Sequence, residues 1–99
     1  MKTIALDYDG TYTDNPIFWD QVVRIANENN QPLIVVTARH GDEAVEVAHQ
    51  FPNNLVYYTS GMAKKKFLKM HRYGKKGIIW IDNNCKNVLK NDKSFQNSL

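Results

Sequence analysis

Apolar residues along this chain fall into short blocks divided by polar punctuation, and the spacing inside the blocks alternates between strand and helix periods. Residues 2–8, centred on Ile4-Ala5-Leu6, read as a strand. Asn15 is placed to cap a helix with Pro16 at its first position, and Phe18, Trp19, Val22, Val23, Ile25 and Ala26 form its apolar stripe until Asn29-Asn30-Gln31 ends it. Residues 32–37 are a continuous apolar run, the pattern of a strand covered on both faces. Residues 41–51 predict a helix with Ala44, Val45, Ala48 and Phe51 inward and Asp42 and Glu43 in its first turn. After the break at Pro52-Asn53-Asn54 come a third strand over 55–59 and a helix from 61 to about 72, with Ala63, Phe67 and Met70 inward. Tyr73-Gly74 stops that helix; a fourth strand over 77–82 and a short helix over 85–90 follow.

Strands alternating with helices imply crossover connections and a parallel sheet covered on both faces. The expected fold is therefore α/β, a Rossmann-like three-layer sandwich with a mainly parallel sheet of about four strands. Residues 1–90 form one domain, and 91–99 are a polar tail expected to be loose. In such sheets ligands bind at the carboxyl ends of the strands. Those ends carry Asp7 and Asp9, Thr37, Thr59 and Ser60, and Asp82, and Lys64 begins the helix leaving the third strand.

Asp7-Tyr8-Asp9-Gly10-Thr11 is the densest of these points. Strand side chains repeat with period two, so the carboxylates of Asp7 and Asp9 are expected to point the same way. Two such charges side by side require a cation between them or a proton on one.

Composition narrows the setting. The chain of 99 residues carries a net charge of +3, with three basic against eight acidic residues in the first fifty and ten against two in the rest. Much of the positive charge lies in residues 64–76, a run that attracts anions, nucleic acid included, or else forms an ordinary solvated helix face. No apolar run is long enough to cross a membrane, Met1-Lys2-Thr3 leads straight into a strand without a signal region, and Cys85 stands alone. A cytoplasmic protein is the expectation.

Four motifs in order resemble the haloacid dehalogenase-like (HAD) phosphohydrolase superfamily: Asp7-Tyr8-Asp9-Gly10-Thr11, Thr37 in Val35-Val36-Thr37-Ala38-Arg39, Lys64 in Gly61-Met62-Ala63-Lys64, and Asp82 in Trp80-Ile81-Asp82-Asn83-Asn84. The resemblance spans residues 3 to about 90. It implies a Mg²⁺-dependent phosphatase hydrolysing a phosphomonoester through an aspartyl-phosphate on Asp7. Asp9 is implied as general acid and base, Thr37 and Lys64 as catalytic partners, the loop at Gly10 and Thr11 as substrate-binding, and Asp7, Asp9 (through its carbonyl) and Asp82 as holders of Mg²⁺. Arg39, by its own bidentate chemistry, is a further substrate-binding candidate for a phosphate or carboxylate.

Alternatives stand beside these assignments. Asp9 and Thr11 also suit a turn, Thr37 a strand end, Arg39 a surface, and Lys65 or Lys66 could replace Lys64. Cys85 reads as a small packing residue. Asn83 stands where the family often has a second acid, which implies weaker Mg²⁺ binding. The joints at 12–15 and 59–61, where family members insert a cap, are too short for one, so an open site is expected, suited to a bulky anionic substrate such as a nucleotide or a nucleic-acid end. The competing reading is a catalytically weak or inactive binding module contacting nucleic acid or a protein partner. Trp19, Tyr57 and Tyr58 are candidates for an exposed homodimer surface. A receiver-type signalling domain is disfavoured by motif order.

Overall fold

The structure, a computed structural model, describes residues 1–71, 73, 76–93 and 95. Strands β1 (Thr3–Asp7), β2 (Leu33–Thr37), β3 (Val56–Tyr58) and β4 (Ile78–Ile81) form one sheet in the order β3-β2-β1-β4, with every neighbouring pair parallel. Helices α1 (Pro16–Glu28), α2 (Val45–Gln50), α3 (Lys64–Met70) and α4 (Lys86–Leu89) complete the α/β, Rossmann-like arrangement. The chain steps outward from β1 to β2 and β3, then returns through α3 to place β4 on the opposite side of β1. The reversal of strand order thus falls between β1 and β4, the place where such sheets form a ligand crevice.

Each face of the sheet has its own core, as a three-layer sandwich requires. One is built from Leu6, Tyr8, Tyr12, Val35, Val47, Phe51 and Val56, with Trp19 and Val23 of α1 against it. The other holds Ala5, Ile34, Val36 and Leu68, packed with Phe67, Ile78 and Trp80. The alternation along β1 and β2 divides their residues between the two. The joint at 12–15 holds only a 3-10 turn (Tyr12–Asp14), and that at 59–61 only a tight turn through Ser60 and Gly61, both at positive φ. Among the described residues no helix is long and apolar enough to cross a membrane.

Several local expectations are corrected. The segment after β2 opens as a 3-10 turn (Gly41–Ala44) before α2, and its tighter winding turns the later residues out of the expected phase. Val47 is therefore the buried contact, while Val45 and Ala48 face solvent. Phe18 and Ile25 of α1 and Met70 of α3 are exposed, and so is Cys85. Trp19, Tyr57 and Tyr58, expected to be exposed, are half-buried against the cores. The start of the tail is held: Asn91 Oδ1 accepts from the Ala63 amide at 2.8 Å, and the Asp92 amide donates to the Gly61 carbonyl at 2.8 Å. Arg72, Gly74 and Lys75, on which part of the basic run and the expected helix stop rest, lie outside the described residues, as does most of the tail.

The Tyr8 and Tyr12 rings stack with centroids 5.4 Å apart, and their hydroxyls donate to Gln50 Oε1 at 2.9 Å and Asp20 Oδ1 at 2.7 Å. Burial first, then the hydrogen bond to Asp20, pushes the Tyr12 phenol up to about 12. A folded pKa above the unfolded value of 10.0 gives stability that is whole below that pH and lost as pH rises through about 12. Unfolding by urea should accordingly become easier across this interval, with a delayed phenol in the ultraviolet titration. Ionisation of all tyrosines together near the ordinary value would contradict it.

Candidate active site

The β1–β4 register pairs Leu6 with Ile81, so Asp7 and Asp82 leave neighbouring strands side by side. Lys64, the first residue of the returning helix α3, meets both: Nζ lies 2.5 Å from Asp7 Oδ1 and 2.6 Å from Asp82 Oδ2. The three side chains are 3% (Lys64), 8% (Asp7) and 4% (Asp82) exposed. Two carboxylates thus share one ammonium out of water. Burial pushes the Asp7 carboxyl up from its ordinary value; Lys64 opposes the shift and Asp82 adds to it. The geometry also separates the three adjacent lysines, because Lys65 and Lys66 are exposed. Helix α3 begins at Lys64, not at residue 61, and the amide just before it is capped by Asn91.

Asp9 takes a different place from the one its spacing suggests. Strand β1 ends at Asp7, the period of two ends with it, and the Asp9 carboxylate faces Arg39 instead of lying beside Asp7. Arg39 Nε donates to Asp9 Oδ2 at 2.9 Å and its second terminal nitrogen to Oδ1 at 2.7 Å, a bidentate pair. The other terminal nitrogen of Arg39 donates to the Glu43 carbonyl and Glu46 Oε2, both at 3.0 Å, and the guanidinium lies 5.0 Å from the Tyr8 ring centroid. Arg39 is thus engaged by Asp9, Glu43 and Glu46 at once.

What Asp9 presents toward Asp7 is its backbone carbonyl. With its nitrogen side turned inward, the Asn83 carboxamide donates to Asp7 Oδ2 at 2.7 Å and to the Asp9 carbonyl oxygen at 3.0 Å. Thr11 Oγ1 donates to Asp7 Oδ2 and accepts from the Asn83 amide, both at 3.1 Å. The hydroxyl of Thr11 thus secures the site from within. Gly10 sits at φ +83°, and its amide donates to Thr13 Oγ1 at 2.9 Å. A Cβ there would stand 2.3 Å from the end of the Asn83 carboxamide and 2.9 Å from its Cγ. Gly10→Ala should lower stability by roughly 1–2 kcal/mol from left-handed strain alone and push Asn83 off Asp7. A thermal melt equal to that of the wild type would contradict this.

Thr37, buried at the end of β2, accepts from the Arg39 amide at 3.2 Å and keeps its own proton to donate. The neighbouring Thr59, whose amide bonds the Thr37 carbonyl at 2.8 Å, has a buried hydroxyl with no hydrogen-bond partner among the described residues. Of the expected site residues, Asp7, Thr11, Lys64, Asp82 and the Asp9 carbonyl come together. The carboxylate of Asp9, with Arg39, forms a separate pair alongside. Asn83, expected with Asn84 to do no more than hold metal-bound water in place of a second acid, instead contacts Asp7 and the Asp9 carbonyl directly.

Among the described residues no group of three or more His, Cys, Asp and Glu side chains could hold a metal ion. Asp7 and Asp82, however, are held together by Lys64, and the Asp9 carbonyl lies on the other side of Asp7, bridged to it by Asn83. Their oxygens are a set of hard donors of the kind Mg²⁺ takes, and the hydrogen bonds from Asn83 mark a place where positive charge is favoured between Asp7 and Asp9. The residues present thus fit Mg²⁺. No family model matches the chain, and neither does any curated protein or solved structure.

Proposed function

We propose that this chain is a capless, HAD-like Mg²⁺-dependent phosphatase that hydrolyses phosphomonoesters through an aspartyl-phosphate on Asp7. The observation that carries the reading is the pair Asp7 and Asp82, buried side by side at the strand-order reversal around the one ammonium of Lys64. Burying two acids around one base is costly for structure alone. It suits a site that must meet both a cation and an anion.

Bound Mg²⁺, held by Asp7, Asp82 and the Asp9 carbonyl, supplies the positive charge that lets a carboxylate approach a phosphate dianion. A carboxylate oxygen of Asp7 attacks phosphorus, and the bond from phosphorus to the leaving oxygen breaks as that oxygen takes a proton. Water then attacks the acyl phosphate, releasing inorganic phosphate and restoring Asp7. Lys64 balances the charge of Asp7 throughout, and the Thr37 hydroxyl is the donor for a phosphoryl oxygen. Asp9 moves the protons once it parts from Arg39. Lys65, Lys66 and Lys69, exposed on α3, favour an anionic substrate such as a nucleotide or a nucleic-acid end.

The competing reading, a catalytically weak binding module on the same scaffold, draws its support from the bidentate hold of Arg39 on Asp9. An aryl phosphate separates the two, because its leaving group needs little help from an acid. Turnover that depends on Mg²⁺ is expected. If folded protein turns over no aryl phosphate, nucleotide or 3′- or 5′-phosphorylated oligonucleotide, the phosphatase reading is lost.

A further inference from the structure

We propose that Asn83 is a two-way ligand: its carboxamide nitrogen closes the site when no cation is bound, and its oxygen faces the cation when one is. The inference rests on the phosphatase reading for its cation site and deepens it. One terminal atom of the carboxamide lies 2.7 Å from Asp7 Oδ2 and 3.0 Å from the Asp9 carbonyl oxygen. Both neighbours are acceptors. Only an NH₂ group in that position, or a positive ion shared among three oxygens, satisfies them. An amide has two hydrogens to give, one for each acceptor. In the other orientation three oxygens would crowd together, yet the same separations are close to the roughly 2.9 Å between adjacent ligands on an octahedron with metal–oxygen distances of about 2.0–2.1 Å.

The change needs only a half-turn of the planar head about the Cβ–Cγ bond, with no movement of the backbone. That backbone is anchored by the bond from the Asn83 amide to Thr11 Oγ1, and its neighbour by the bond from the Asn84 amide to Asp82 Oδ1 at 2.9 Å. Gly10 leaves the room for the head group, which a Cβ would fill. An aspartate at this position would be a stronger ligand for the cation but could not donate in its absence, and it would put a third carboxylate beside Asp7 and Asp82. Asparagine exchanges cation affinity for a site that holds together empty.

The test is Mg²⁺ binding by calorimetry and thermal unfolding without metal, for the wild type, Asn83→Ala and Asn83→Asp. It is joined by the Asn83 side-chain NH₂ signal in the wild type, followed by NMR during Mg²⁺ addition. Both variants should melt lower than the wild type without metal. Asn83→Ala should bind Mg²⁺ about tenfold or more weakly, and Asn83→Asp more tightly. The NH₂ resonances should shift as they leave their carboxylate and carbonyl acceptors. Wild-type binding matched by Asn83→Ala, or an NH₂ signal unmoved at saturation, overturns the two-way role and leaves the phosphatase reading standing. Binding by Asn83→Asp alone also overturns it. If none of the three proteins binds Mg²⁺, the proposal and the cation site fail together.

Discussion

Asp7→Asn is expected to cut phosphomonoester hydrolysis by about 10⁴-fold or more while the protein stays folded. The first half follows from the nucleophile: an amide oxygen cannot form and release the acyl phosphate. The second follows from the site. Asp7 and Asp82 compete for one buried ammonium, and burial already pushes the Asp7 carboxyl upward. A group whose folded pKa lies above its unfolded value costs stability once it is ionised, so at neutral pH a neutral isostere removes that cost. Lys64 keeps Asp82 and the oxygen of the new amide. The NH₂ of that amide, in the Oδ2 place, is met by the Asn83 oxygen after a half-turn of that head group and by Thr11 Oγ1 as acceptor. Kinetics with an aryl phosphate, together with melts of both proteins at neutral pH, check the two halves. Retained turnover would remove Asp7 from the chemistry, and a large fall in melting temperature would show that its charge is structural.

Much of the site is legible in the sequence because the sheet makes distant residues equivalent. Each apolar run ends at a carboxyl edge, so Asp7, Thr37 and Asp82 can be placed together before any contact is known. Their immediate partners are harder to read. That Asp7 is paired with Asp82 rather than Asp9 depends on the β1–β4 register and on the strand ending at Asp7, and neither is visible in the spacing of Asp7-Tyr8-Asp9. The hold of Arg39 on Asp9 joins residues 30 positions apart, and that of Asn91 on Ala63 residues 28 apart. Polar contacts at such separations carry no periodic signal. The same holds for α2, where one 3-10 turn is enough to rotate the inward face from Val45 to Val47. Lys64 is the instructive case: three adjacent lysines look alike in composition, and only the residue at which the helix starts decides which of them turns inward.

Lys64→Met, which keeps the length of the side chain and removes its charge, should destabilise the protein by roughly 3–5 kcal/mol near neutral pH, the usual cost of leaving a buried charge without its partner. Here the cost falls on two carboxylates at once, since Lys64 Nζ is within hydrogen-bonding distance of both Asp7 and Asp82. Side by side and dry, the two can avoid repulsion by sharing a proton, and with the lowering effect of Lys64 gone the Asp7 carboxyl is pushed further up in the folded variant. The sign of the pH dependence follows. A raised folded pKa gives stability that is present at low pH and lost as pH rises through it, so the variant should approach the wild type under mildly acidic conditions and fall away from it toward alkaline pH. Mg²⁺ offers the second remedy and should recover part of the loss without acid. Urea unfolding of both proteins across this range, with and without Mg²⁺, reads all three effects. Equal stability at alkaline pH would mean that Asp7 and Asp82 do not depend on Lys64 for their charge balance. A deficit that neither acid nor Mg²⁺ reduces would mean that the ammonium serves packing rather than charge, and the case for an anion-handling site would lose its central residue.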